Sequence, residues 1–195
     1  MVSKITESEI IKLFLSDYSR RLYLRELAAE LKKPHQSVKP YAEKLTEKKV
    51  LSKTERKNLI EYSLNFKNKA VYDYLTIAEK QKTQEHLKDL LLKTLYEKLT
   101  VHFNKNTFLV FGSAAENMQK ARDIDLLAIG KENIKKAIEG FEAVYSKKIH
   151  LVQVKDLKSL NLTFAKEIYK KHLILNNTEL IIRFFGELYE ANKLV

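Results

Sequence analysis

The sequence contains no cysteine, so disulfides, thiolate metal sites and cysteine nucleophiles are excluded, and a structural zinc site with them. Only 4 Gly and 2 Pro occur, too few for long flexible linkers, and helices are expected to dominate. No apolar run approaches about 18 residues, and the start MVSKITESEIIKLFL is charged and amphipathic. These features predict a cytoplasmic protein with no membrane segment. The five histidines have no metal-ligand spacing, and neither a Walker loop nor a serine nucleophile elbow is present.

What is present is a chain of ordinary hydrophobic content (45%) with a formal net charge of +11. That charge makes a polyanion a plausible partner through phosphate contacts and counterion release. Residues 1–66 carry 14 Lys and Arg against 9 Asp and Glu; residues 67–195 carry 22 against 16. The first third is the more densely basic, which favours placing nucleic acid there. At 195 residues the chain fits two compact units.

Near the start, Ile10, Ile11, Leu13 and Phe14 predict a first helix, with Thr6 and Glu9 as a capping box. Leu24, Leu27, Ala28 and Leu31 define a second. A third sets Val38, Tyr41, Ala42 and Leu45 on one face and His35, Gln36, Lys39 and Lys44 on others. VLSKTERKNLIEYSLN then reads as two short strands around a basic turn, with Ile60, Tyr62 and Leu64 alternating.

This order resembles the winged helix-turn-helix transcriptional regulators, with SVKPYAEKLTEKKVL similar to their recognition helix and first wing strand. The resemblance implies double-stranded DNA as partner. His35, Gln36, Ser37 and Lys39 become base-reading candidates and Lys53, Arg56 and Lys57 phosphate contacts. Winged helices also serve as protein-interaction modules. Two residues depart from the pattern: Pro40 lies inside the recognition helix, predicting a late start or a kink, and Lys49 stands where a turn glycine is usual.

From Lys69 to Phe103 the chain has neither Gly nor Pro and reads as helix. Its apolar residues form two clusters. Val71, Tyr72, Leu75, Ile77 and Ala78 are expected to cover the first domain. Leu87, Leu90, Leu91, Leu95 and Leu99 are expected to cover the second. A homodimer helix explains the same pattern as well as intramolecular packing does.

In NTFLVFGSAAENMQKARDIDLLAIG, an apolar strand ends at Gly112 and Ser113, a loop with a short helix follows, and IDLLAI forms a second strand. Alternation places Asp123 and Asp125 on one side and Ile124 and Leu126 on the other. Paired carboxylates repel unless a cation lies between them, and hard oxygen ligands suit Mg²⁺. Gly112 permits close backbone approach, and Ser113 with the following amides suits phosphate oxygens.

This string resembles the minimal members of the polymerase-β-type nucleotidyltransferase superfamily: a strand, Gly-Ser, a spacer, then Asp-hydrophobic-Asp-hydrophobic. The resemblance implies that Gly112 and Ser113 hold a nucleoside triphosphate and that Asp123 and Asp125 are catalytic metal ligands. It continues through KKIHLVQVKDL as a further strand and FAKEIYKKHLILNNTEL as a closing helix that includes Leu173 to Leu175. TELIIRFFGELYEAN follows as a helix with Leu180, Ile181, Phe184, Phe185 and Leu188 in the core. The superfamily's third carboxylate is missing, its slots holding His150 and Gln153, and Asp156 lies past the strand. Asn117 and Arg122 replace a loop Gly and a Ser. Minimal nucleotidyltransferases in toxin-antitoxin pairs act with a helical nuclease, whose Arg-to-His signature this chain lacks.

The expected fold is therefore α+β: a winged helix (1–66), a helical connector (67–100), and a nucleotidyltransferase-like α/β domain with a small mixed sheet (101–195). The expected function is a DNA-binding transcriptional regulator whose second domain binds nucleotide and Mg²⁺ or is degenerate. The alternative is an active enzyme transferring a nucleoside monophosphate to a protein or nucleic acid.

Overall fold

A computed structural model describes residues 5–56 and 59–194. It mixes helix and sheet and divides into two compact units, residues 1–79 with 182–195 and residues 80–181. Among the described residues no helix is long and apolar enough to cross a membrane.

In the first unit, α1 (Glu7–Lys12) begins where the Thr6 hydroxyl accepts the Glu9 N–H at 3.3 Å, and it buries Ile10 and Ile11 completely. The capping box is half made, because the Glu9 carboxylate turns to Lys12 at 2.7 Å. β1 (Leu22–Tyr23) leads into α2 (Leu24–Glu30), where the Glu26 carboxylate accepts the Tyr23 N–H at 2.7 Å. α3 (His35–Glu47) buries Val38, Ala42 and Leu45. It starts ahead of Pro40, contrary to a late start; the proline sits exposed in the second turn, so its ring meets solvent.

Lys49 carries the turn that glycine usually makes, at φ 57°. Its N–H donates to Thr46 and that of Val50 to Leu45, both at 2.9 Å, which closes the helix in a Schellman motif. Side-chain amides of Asn65 (2.9 Å) and Asn68 (3.1 Å) donate to the Lys49 carbonyl and hold this left-handed residue in place.

β2 (Leu51–Arg56) and β3 (Leu59–Leu64) are antiparallel, from Leu51 opposite Leu64 to Arg56 opposite Leu59, and β3 is central in the order β1-β3-β2. Tyr62 and Leu64 are buried as the alternation predicts, whereas Ile60 is exposed. Part of the core is an aromatic cluster: Phe66 lies 5.4 Å from Tyr18, 5.6 Å from Tyr72 and 4.7 Å from Tyr189, ring centre to ring centre.

The Lys69–Phe103 stretch is two helices, α4 (Ala70–His86) and α5 (Leu90–Leu99). Asp89 makes the break: its carboxylate accepts the Leu92 N–H at 3.0 Å, so it caps a new helix instead of extending the old one. Val71, Leu75 and Ala78 are buried, but Ile77 is exposed; Leu91, Leu95 and Leu99 are buried, but Leu90 is exposed at the helix start.

In the second unit, β4 (Asn106–Phe111), β5 (Ile124–Gly130), β6 (Ile149–Val154) and β7 (His172–Ile174) form a mixed sheet in the order β6-β5-β4-β7. β5 and β6 are parallel and the other pairs antiparallel. α6 (Ser113–Glu116) follows β4. α5 and α7 (Lys135–Tyr145) cover one sheet face, burying Phe108, Val110, Ile124 and Leu126 against Leu95, Leu99 and Phe141. On the other face, Phe164 of α8 (Leu162–Lys170) meets Phe111 edge to face at 5.3 Å.

The expected closing helix ends earlier than its sequence suggests. Lys171 is extended at φ −144°, and Leu173 lies in β7, paired with Val110 on the edge of β4. As a strand the run buries all three of its residues, His172, Leu173 and Ile174, with side chains on both faces. α9 (Thr178–Glu190) buries Ile181 and Phe185, but Leu180 is exposed.

Candidate functional site

The two ends of the Gly-Ser and Asp-Ile-Asp string meet at one end of the central strand pair, β4 and β5. Phe111 pairs with Asp125 across β4 and β5, so the residue after Phe111 lands beside the Asp125 carboxylate. Gly112 turns there at φ 67°, ψ −146°, and its N–H donates to the Lys171 carbonyl at 3.1 Å. A Cβ on residue 112 would lie 2.8 Å from Asp125 Oδ2. Glycine is thus required both by conformation and by space. Ser113 opens α6 directly after it.

Ile124 and Leu126 are buried completely in the α5/α7 face, leaving Asp123 and Asp125 toward the other face, partly exposed. Each carboxylate has a cationic or imidazole neighbour. Arg122 Nε lies 3.7 Å from Asp123 Oδ2, and His150 Nδ1 lies 3.5 Å from Asp125 Oδ1. His150 is the register partner of Asp125 on β6, the position from which a third carboxylate would reach the pair. Gln153 is held elsewhere, its amide donating to the Gly130 (3.1 Å) and Glu132 (2.8 Å) carbonyls. Asp156 caps the turn at Leu157–Ser159, and the Ser159 hydroxyl holds its carboxyl below the usual range. Asn117 is extended at φ −153°, so the chain makes no left-handed turn at that loop position.

Among the described residues, no group of three or more His, Asp or Glu side chains is placed to hold a metal ion. Two carboxylates, Asp125 on β5 and Asp123 just ahead of it, fit a single hard cation that draws its other ligands from phosphate and water. Beside Gly112 lies a pocket of about 580 Å³ lined by Thr163, Lys166, Glu167, Lys170 and Lys171. These lysines, two on α8 and Lys171 just past its end, were not singled out in the sequence, where nothing signals that they line a pocket with Gly112.

In the first unit, a groove of about 760 Å³ brings together His35, Gln36 and Lys39 from the start of α3 and Lys53 from β2. Leu59 and Ile60, both exposed, form its apolar part, and Arg25 lines it from α2, a residue the sequence pattern did not mark. Ser37 is exposed on α3 but is not among the residues lining the groove. Lys39 lies 3.7 Å from Glu43. Arg56 is turned to Glu61, 3.9 Å away, outside the groove. Lys57 lies outside the described residues.

No protein-family model matches the chain, and no curated protein matches it by sequence. Among solved structures, two mutants of the toxin-antitoxin MntA-HpeT are similar over 50% of this chain and 84% of theirs, at 15% and 18% identity and a TM-score of 0.37. HmgR of Pseudomonas aeruginosa is similar over 80% of this chain and 53% of its own, at 18% identity and a TM-score of 0.28. Likenesses of this size do not establish a shared fold.

Proposed function

We propose that the chain is a duplex-DNA-binding regulator with a winged helix-turn-helix in its first unit. The second unit is then a nucleotidyltransferase-like domain that binds Mg²⁺ and a nucleoside triphosphate without efficient transfer. The observation that carries the DNA reading is the convergence of His35, Gln36, Lys39 and Lys53 on one groove. Gln pairs with adenine and Lys with guanine or phosphate, and a strand on one side with a helix on the other is a geometry that can straddle a groove edge.

For the second unit, the support is the close approach of Gly112 to the Asp125 carboxylate, with Asp123 two residues ahead of Asp125 at the entry to β5. When bound, Mg²⁺ would neutralise phosphate charge between those carboxylates, with Gly112 and Ser113 against the triphosphate. His150 at the third position argues for binding over transfer, because transfer of this kind depends on positioning and charge stabilisation that the missing carboxylate would supply. The test is titration of the full chain with duplex DNA over a salt series. Affinity falling steeply with salt, and weaker in Lys39→Ala and Lys53→Ala, supports the reading. A folded chain that leaves duplex DNA unshifted at low salt overturns it in favour of a protein-interaction role.

A further inference from the structure

The outer face of the three-stranded sheet carries a charge cluster built around a buried carboxylate. Glu61 stands on the central strand β3, opposite Tyr23 of β1 and Thr54 of β2. Arg21 comes two residues before Tyr23 and Arg56 two after Thr54, so strand alternation directs all three charged side chains to one face. Arg21 Nη1 lies 3.7 Å from Glu61 Oε2, and Arg56 Nη1 lies 3.9 Å from Oε1, one guanidinium to each oxygen. Glu61 is only 7% exposed, whereas the side chains of Arg21 and Arg56 are 64% and 66% exposed.

A carboxylate is not withdrawn from water without compensation, and the two cations provide it. The compensation is lopsided: one negative charge stands between two positive ones. At these separations the contacts are ion pairs without a direct hydrogen bond, so the guanidinium donors are not consumed by Glu61. Two arginine forks with a surplus charge, held on either side of a fixed carboxylate, match phosphate oxygens in chemistry and in planar geometry. Arg56 ends β2 three residues after Lys53, so alternation sets the two cations on opposite faces of one strand, and a duplex gripping that strand would meet Lys53 from the groove side and the arginine pair from the other.

We propose that Arg21 and Arg56, set in place by Glu61, form a two-pronged clamp on the phosphate backbone of duplex DNA. Arg21 is then a DNA contact, and Glu61 is a positioning residue. The proposal rests on the DNA reading of the first unit.

The experiment measures affinity of the full chain for a labelled duplex by fluorescence anisotropy across a salt series, with thermal unfolding run on each variant. Arg21→Ala and Arg56→Ala should each weaken binding and reduce the slope of log affinity against log salt by about 0.9, and the double variant by about twice that. Arg21→Lys keeps the charge but loses the fork, so the slope should persist while affinity falls. Glu61→Gln keeps both cations; the slope should hold and affinity should drop several-fold as the prongs lose their fixed position. An unchanged slope in Arg21→Ala and the double variant, with Lys39→Ala still weakening binding, overturns the clamp and leaves the groove reading standing. Tighter binding by Glu61→Gln overturns the positioning role, since the carboxylate would then merely compete with phosphate. Absence of duplex binding by the unaltered chain removes the reading and the clamp together.

Discussion

His150 Nδ1 lies 3.5 Å from Oδ1 of Asp125, its partner across the parallel strands β5 and β6. An imidazole ring therefore stands beside the carboxylate where, on the proposed reading, a third acidic ligand would stand. Replacing it with His150→Asp should tighten Mg²⁺-dependent binding of a nucleoside triphosphate by roughly tenfold, equivalent to about 1.4 kcal/mol. Calorimetry on the two proteins measures this, and equal affinities would show that the position does not reach the metal.

Removing the carboxylates has the opposite effect. Asp123→Ala with Asp125→Ala should abolish metal-dependent nucleotide binding and leave duplex-DNA affinity nearly intact. Labelled-nucleotide transfer onto candidate proteins and RNAs completes the check. Brisk transfer by the unaltered chain that disappears in the double variant would reject the binding-only reading.

Gly112→Ala should be damaging out of proportion to its size. The new Cβ would meet Asp125 Oδ2 at 2.8 Å, and φ 67° already disfavours any side chain there. A stability loss of about 1–2 kcal/mol from the backbone alone is expected, along with displacement of Asp125. Unfolding and nucleotide titration should both change; a change in neither would mean that the turn relaxes freely.

Lys49→Gly should stabilise the protein. The residue is held at φ 57° in the Schellman turn after α3, a conformation that costs a non-glycine residue roughly 1 kcal/mol. Denaturant unfolding should show a higher midpoint for the variant. A lower midpoint would mean that the greater freedom of glycine in the unfolded chain outweighs the relief.

Acid should weaken the first unit through Glu190. Its carboxylate accepts from Lys69 Nζ at 2.8 Å and from the Tyr72 hydroxyl at 2.8 Å, and these bonds, Lys69 foremost, hold its pKa below the ordinary 4.5. A lowered folded-state pKa contributes stability that is present above 4.5 and is lost as pH falls through the folded value. Glu190→Gln should therefore be less stable than the unaltered chain at neutral pH, with the gap closing in acid. A gap independent of pH would assign the loss to packing instead.

Helix starts and alternating strands were legible because their causes are local. Thr6 caps α1, the 3.6-residue period selects Val38, Ala42 and Leu45, and Ile124 and Leu126 are buried opposite Asp123 and Asp125. The break at Asp89 was also local, a capping residue ahead of a leucine run, but the lack of Gly and Pro masked it. The strand at His172–Ile174 was not local at all, because it exists through its pairing with β4.

By itself, the sequence determined which side chains were available: two carboxylates two residues apart, a Gly-Ser turn, basic residues at the start of α3, and no thiol. Only the tertiary structure decided which of them meet. Strand register put His150, rather than Gln153, against Asp125, and sheet pairing drew Arg21 and Arg56 to Glu61 from opposite sides. Spacing along the chain fixes the face a residue occupies, but register between strands, set by packing of the whole sheet, fixes its neighbours.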